Sequence, residues 1–328
     1  MGDQRRSYVT WSKIPFKTKP SLANPARFFH GRVVCATSGL ENFQTSPRGP
    51  ATSVRDPMLI VDAHVHLWAG GSPSPAHRQV PELLGPELLR EMDEAGIDAA
   101  VIQPPAWDET SNEVAVDAAR QNPDRFAALG WFHLDDPGSR MLIDTWAKRP
   151  GMLGFRFTFP SPEMEAWLTD GTLDWLWPAA EQAGLPVALM AGRFIPRVGK
   201  IAERHPGLRI LIDHLGMPLR QQDDAALANL PQLVALAKHP NVAVKATAAP
   251  GASSAAYPYR NIHGYLHAVY DAFGPERMFW GTDITRMPCT WRQCVTLFTE
   301  ELSWLTPQDK SLIMGQALCR WIGWNLTT

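Results

Sequence analysis

Cysteine is scarce and scattered: Cys35, Cys289, Cys294 and Cys319 are the four in 328 residues, and no C-x-x-C pair occurs. That rules out a disulfide framework and a zinc knuckle. No apolar run approaches the roughly 18 residues needed to cross a bilayer, so an integral membrane protein is excluded. No G-x-G-x-x-G follows an apolar run, which removes the dinucleotide-binding fingerprint. Charge of either sign is nearly balanced, 31 Lys and Arg against 33 Asp and Glu, and gives no footprint for nucleic acid. What is present, 45% hydrophobic and 20% charged residues, is a globular composition. The expected location is cytoplasmic. Homo-oligomerisation is left open.

The charge is unevenly spread. Residues 1–56 carry nine Lys and Arg against three Asp and Glu, a net of +6, so the remainder has a net of −8. This leader lacks apolar periodicity and is rich in Ser, Thr, Gly and Pro from Thr45 to Ser53. We read residues 1–57 as a poorly structured basic extension, either a disordered arm or upstream sequence before a natural start at Met58. A targeting segment is the alternative. Residues 58–328 form the expected folded domain.

From Met58 on, short apolar runs alternate with helical stretches. The runs are 58–66, 99–103, 126–133, 153–159, 186–190, 209–214, 242–246 and 278–283. They are nearly continuous in apolar residues, as strands buried on both faces should be. Helices are expected over 86–95, 112–121, 173–183, 226–238 and 261–273, several of them stopped by Gly or Pro. Eight strand–helix units over about 270 residues predict an α/β fold, a (β/α)₈ TIM barrel. A doubly wound open sheet is the runner-up.

In such a barrel, chemistry collects where the strands end. Strand one ends Asp62-Ala63-His64-Val65-His66, whose spacing places both imidazoles on one face. Strand four carries Arg156, a fork suited to a substrate carboxylate. Strand six ends Asp213-His214-Leu215-Gly216, strand seven carries Lys245, and strand eight ends Gly281-Thr282-Asp283. The expected catalytic set is therefore Asp283, His214, His64 and His66. Arg156, Arg286, Tyr259 and His133 are the expected substrate contacts. Arg193, Arg220, Tyr257 and Gln103 are further candidates. Trp68, Trp107, Trp131 and Trp291 follow strand ends and are expected as pocket walls.

Val61-Asp62-Ala63-His64-Val65-His66, Asp213-His214-Leu215-Gly216 and Phe279-Trp280-Gly281-Thr282-Asp283 together resemble the amidohydrolase superfamily. The likeness runs from about Met58 to Trp324 and is nearest the amidohydrolase-related (type 2) branch, which holds lactonases and decarboxylases. Two departures stand out. Binuclear members place a lysine at the end of strand four, where this chain has Arg156. Mononuclear members place a histidine on strand five, where it reads Val187-Ala188-Leu189-Met190-Ala191-Gly192. In this the sequence is similar to pyrone dicarboxylate lactonase-like members, which work without metal.

The resemblance implies a metal-independent hydrolase of a lactone or related carboxylic ester, acting on an anionic small molecule. In it Asp283 is the general base, and His64, His66 and His214 stabilise the carbonyl oxygen. The alternative is a metal-dependent decarboxylase or hydrolase of an aromatic or unsaturated acid, with one Zn or Mn on His64, His66 and Asp283. A barrel that only binds a small acid is the third reading, disfavoured because four ionisable groups converge at one mouth.

Overall fold

The computed structural model describes residues 58–218 and 220–326, and the expectation for the leader falls outside them. Eight strands follow in order: β1 (Val61–Val65), β2 (Ala99–Ile102), β3 (Phe126–Gly130), β4 (Met152–Phe157), β5 (Val187–Leu189), β6 (Ile210–Ile212), β7 (Val242–Ala246) and β8 (Met278–Trp280). Each pairs in parallel with the next. This is the expected barrel, and seven of the strands lie inside the runs that predicted them, while β4 begins one residue earlier, at Met152. No helix among the described residues is long and apolar enough to cross a membrane.

Alternation along the strands sorts the core into two parts. One set, including Ala100, Ile102, Phe126, Phe155, Val187, Ile210, Val244 and Trp280, packs with the surrounding helices. The other set, Val61, Ala63, Ala99, Val101, Ala127, Leu129, Ala188, Leu211, Ala243 and Phe279, fills the interior. Many of these are alanines, leaving room for Phe279 and for the long polar side chains above. Leu318, Ile322 and Trp324 pack against the same set. Gly315 brings that segment so near the start of β1 that a Cβ would lie 2.9 Å from Leu59 O.

The β8–β1 seam is closed by side chains. Asp62 accepts hydrogen bonds from Thr282 N (2.9 Å), Thr282 Oγ1 (2.5 Å), Trp291 Nε1 (2.8 Å) and His64 N (2.9 Å). The Asp283 amide donates to His64 O at 2.8 Å. Burial pushes the Asp62 carboxyl up to about 6, against the pull of these hydrogen bonds.

One expected helix is broken. Over 226–238 the chain forms Asp223–Leu227, then Leu230–Ala235. Asn229 between them donates Nδ2 to both Gly192 O (2.6 Å) and Gly216 O (2.8 Å), and Pro231 opens the second piece. The amide thereby ties together the loops after β5 and β6, a tertiary role that helical periodicity does not encode.

Gly281 allows the seam to close: a Cβ there would lie 2.7 Å from both Ala63 N and Thr247 Cγ2. Gly281→Ala is expected to lower unfolding stability by about 1–3 kcal/mol, read from chemical denaturation. An unchanged midpoint would show that the seam has slack.

Candidate active site

A register shift between Asp62 and Val65 marks where β1 changes face. Val61 and Ala63 belong to the interior core, whereas His64 and His66 both reach the mouth. Bulges re-aim side chains in this way beside active sites. Two other site residues, His214 (φ 52°) and Asp283 (φ 60°), adopt the left-handed conformation just past β6 and β8. That region is uncommon for non-glycine residues and persists when surrounding contacts fix it. Here the Asp283 amide is fixed by His64 O, and the His214 amide by Thr247 Oγ1 at 3.2 Å.

Directly above the alanine-rich interior lies a layer of charge. Asp213 receives Arg156 Nε at 2.9 Å and Lys245 Nζ at 2.9 Å, and His64 Nδ1 stands 3.9 Å away. Lys245 is 0% exposed and Asp213 1%. Burial works to raise the Asp213 carboxyl, but the charges of Lys245 and Arg156, with His214 beside them, outweigh it and hold it well below the usual carboxylate range. Burial pulls the Lys245 ammonium down while Asp213 pulls it up.

The reactive cluster sits over this layer. His66 Nδ1 meets Gln103 O at 2.5 Å; a carbonyl only accepts, so Nδ1 carries the proton. The opposite atom, Nε2, faces His64 Nε2 at 3.3 Å and Asp283 Oδ1 at 3.3 Å. The other Asp283 oxygen lies 3.7 Å from His214 Nε2 and 3.5 Å from Arg286 Nη1. Burial opposes ionisation of Asp283, yet its contacts with His66, then His214 and Arg286, hold it well below the carboxylate range. Burial, followed by the neighbouring His214, Lys245 and His66, drives His64 far down. His214 falls to about 3, chiefly through burial, although Asp283 and Asp213 act the other way. At neutral pH the cluster thus holds an anionic Asp283 with neutral His64 and His214.

A fourth imidazole joins them. His77 lies in the loop between β1 and β2, which the paired Trp68 and Leu83 backbones pinch at its base. Arg78 N donates to Thr285 O (2.8 Å), and His77 Nδ1 meets Thr285 Oγ1 (2.7 Å) and stands 3.9 Å from Asp283 Oδ1. Burial lowers it to about 3, with the charge of His66 adding to the effect. The sequence reading missed His77, because a histidine in a Ser/Pro loop carries no periodic signal. Its nearness to His64-Val65-His66 in the chain was the available clue.

The donor atoms of His66, His77 and Asp283 lie within 4.8 Å of one another, as do those of His64, His214 and Asp283. Neutral imidazoles beside an ionised carboxylate suit zinc or manganese, so the residues fit a single divalent ion. His77 brings from a loop the imidazole that strand five lacks. Met190 on that side has its sulfur 4.0 Å from Arg156 Nη2.

A cavity of roughly 330 Å³ opens above the cluster, lined by His66, His77, His214, Asp283 and the three arginines Arg156, Arg220 and Arg286. His64 is fully buried beneath it. Arg156 is therefore part buried ion pair and part cavity wall. Two expected substrate contacts lie elsewhere. Tyr259 is buried, with its ring 5.8 Å from that of Tyr257 and its hydroxyl toward Cys289. His133 is exposed, pairs with Glu109 at 3.3 Å, and lines an adjoining lobe. Trp107 and Trp131 line these spaces. Trp68 instead donates Nε1 to Val80 O, and Trp291 serves the seam. Arg193 pairs with Glu165 at 2.7 Å.

An eight-stranded parallel barrel with an acid–imidazole cluster at its strand ends defines a class, the barrel hydrolases that act through groups converging from several strands. The amidohydrolase family model matches residues 61–324, and the chain belongs to that family as a hydrolase. It is 27% identical over 233 residues to an L-fucono-1,5-lactonase of Burkholderia ambifaria, covering 68% of this chain and 79% of the relative. An amidohydrolase of Burkholderia multivorans with bound zinc superposes at a TM-score of 0.70 and 21% identity, over 81% of this chain and 99% of that one. A probable 2-pyrone-4,6-dicarboxylic acid hydrolase of Acinetobacter baumannii, with citric acid bound, superposes at 0.64 and 16% identity, over 81% and 100%. These two structures share the fold.

Breaking a buried pair leaves an uncompensated charge. Lys245→Met is expected to cost about 3–5 kcal/mol of stability in equilibrium denaturation. A loss under about 1 kcal/mol would mean that Arg156 alone satisfies Asp213.

Proposed function

We propose that the protein hydrolyses a lactone or related carboxylic ester that carries a carboxylate. The observation that carries this reading is Asp283, ionised and buried at the floor of a cavity walled by three arginines. A water bound beside Asp283 loses a proton to the carboxylate as its oxygen attacks the carbonyl carbon. The acyl–oxygen bond then breaks, and the proton held on Asp283 passes to the leaving alkoxide. The relative that is a lactonase supports this choice among hydrolytic substrates.

The imidazoles divide the remaining work. Thr247 Oγ1 already accepts the His214 amide, and its own proton is available for His214 Nδ1 at 2.8 Å. That leaves a proton on His214 Nε2, aimed at the cavity, to stabilise the carbonyl oxygen together with Arg286. His66 has given its proton to Gln103 O, so in neutral form it accepts and serves to hold the water. His64, below the cavity, is a positioning residue. Arg156 and Arg220 take the substrate carboxylate.

We further propose that these groups suffice without a metal. A specific observation favours the alternative: His66, His77 and Asp283 would hold a divalent ion, which would supply Lewis-acid polarisation of the carbonyl.

Asp283→Asn should keep the fold and cut turnover of a responsive lactone at least about a hundredfold. Near-normal turnover would remove Asp283 from the chemistry. Activity is expected to survive exhaustive chelation, with metal content followed by elemental analysis. Loss with chelator and recovery with zinc or manganese would establish the metal-dependent reading, and release of CO2 from an aromatic acid would make the enzyme a decarboxylase.

A further inference from the structure

The cluster cavity does not end at Arg156. A second lobe of roughly 180 Å³ adjoins it, and Ala106, Arg156, Thr158 and Pro160 line both. The two lobes differ in character. The first holds the imidazoles, Asp283 and three arginines, whereas the second is walled by Trp131, Phe132, Phe157, Met164 and Trp167. Besides Arg156 its polar groups are Thr158 and, toward solvent, His133, Glu109 and Asp135.

Trp131, Met164 and Trp167 are only half-buried, so they present aromatic and thioether surface to whatever enters. Trp131 is held in place: its amide donates to Asn112 Oδ1 at 3.2 Å and its indole nitrogen to Ser111 Oγ at 3.3 Å. A fixed, half-buried indole, with the His133 ring 5.2 Å away in T-shaped contact, is a stacking platform. Arg156 stands at the junction, where its buried pair with Asp213 fixes the guanidinium.

We infer that this lobe is a subsite for a planar aromatic ring bearing a hydroxyl group, attached to the acid or lactone that the cluster lobe takes. The inference rests on the proposed reading of the cluster lobe. The ring stacks among Trp131, Trp167 and Met164, its hydroxyl reaches the polar rim at Glu109 and His133, and its acidic end lies at Arg156. The natural substrate class is thus an aryl-substituted acid or lactone.

Calorimetric titration of the full chain with 4-hydroxycinnamate and with crotonate tests this directly, because the two acids share an unsaturated carboxylate and differ in the ring. The aromatic acid should bind about tenfold tighter or better. That preference should collapse in Trp131→Ala and in Trp167→Ala while crotonate affinity holds, and it should persist in Trp131→Phe. Circular dichroism of each variant checks that it is folded. Equal affinity for the two acids, no binding of either, or a preference untouched by both alanine variants would overturn the subsite. Ring-dependent binding without turnover of any lactone would leave the subsite standing and remove only the lactonase reading.

Discussion

The buried carboxylate of Asp213 is the constraint on which the site depends. It lies where the apolar filling of the barrel stops, bound by Arg156 from β4 and Lys245 from β7. Taking such charges out of water costs several kcal/mol per ion, and the cost is offset only by good geometry. The arrangement therefore tolerates little movement of the three strand ends. Arg156 gains one fixed edge toward Asp213 and one toward the cavity. His64 sits beside the layer, where burial, and then the groups around it, keep its ring neutral. The alanines beneath, at 63, 99, 127, 188 and 243, leave the volume that these long side chains need.

A second constraint, the β8–β1 seam, aligns the acid with the imidazoles. Asp62 binds Thr282 through main chain and side chain, and the next residue is Asp283. The same Asp62 accepts the His64 amide. One carboxylate thus fixes the backbone on both sides of the seam, at His64 and at the residue before Asp283. Gly281 lets the strands close, and the left-handed turn at Asp283 swings its carboxylate over the mouth.

Strand positions were legible in the sequence because strands buried on both faces give unbroken apolar runs, and the barrel followed from their number. The ends of β1, β6 and β8 were legible because polar residues stop those runs. What escaped was set by loops. His77 reaches Asp283 only because the Trp68–Leu83 pairing and Thr285 fold its loop over the mouth. Tyr259 turns into the protein where the sequence suggested a loop residue facing substrate. The helix expected over 226–238 breaks because Asn229 ties two distant loops. Arg156 was placed correctly on its strand, but its partner Asp213 lies 57 residues away, beyond any local pattern.

On the proposed reading, the few protons the cluster can offer set the direction in which a substrate enters. With the His66 ring neutral, its Nδ1 proton serves a backbone carbonyl and its Nε2 lone pair faces the Asp283 carboxylate at 3.3 Å. Two such acceptors repel unless a donor or a cation stands between them. A water molecule can do so with its two hydrogens, which places its oxygen for attack, and a divalent ion can do so as well. A carboxylate cannot, because it would place a second negative charge beside that of Asp283. Under the proposed lactonase reading, an anionic group would be driven away from the cluster toward Arg156 and Arg220, leaving the uncharged carbonyl facing Asp283. The arrangement of charge would thus orient that substrate before any shape-specific contact is made.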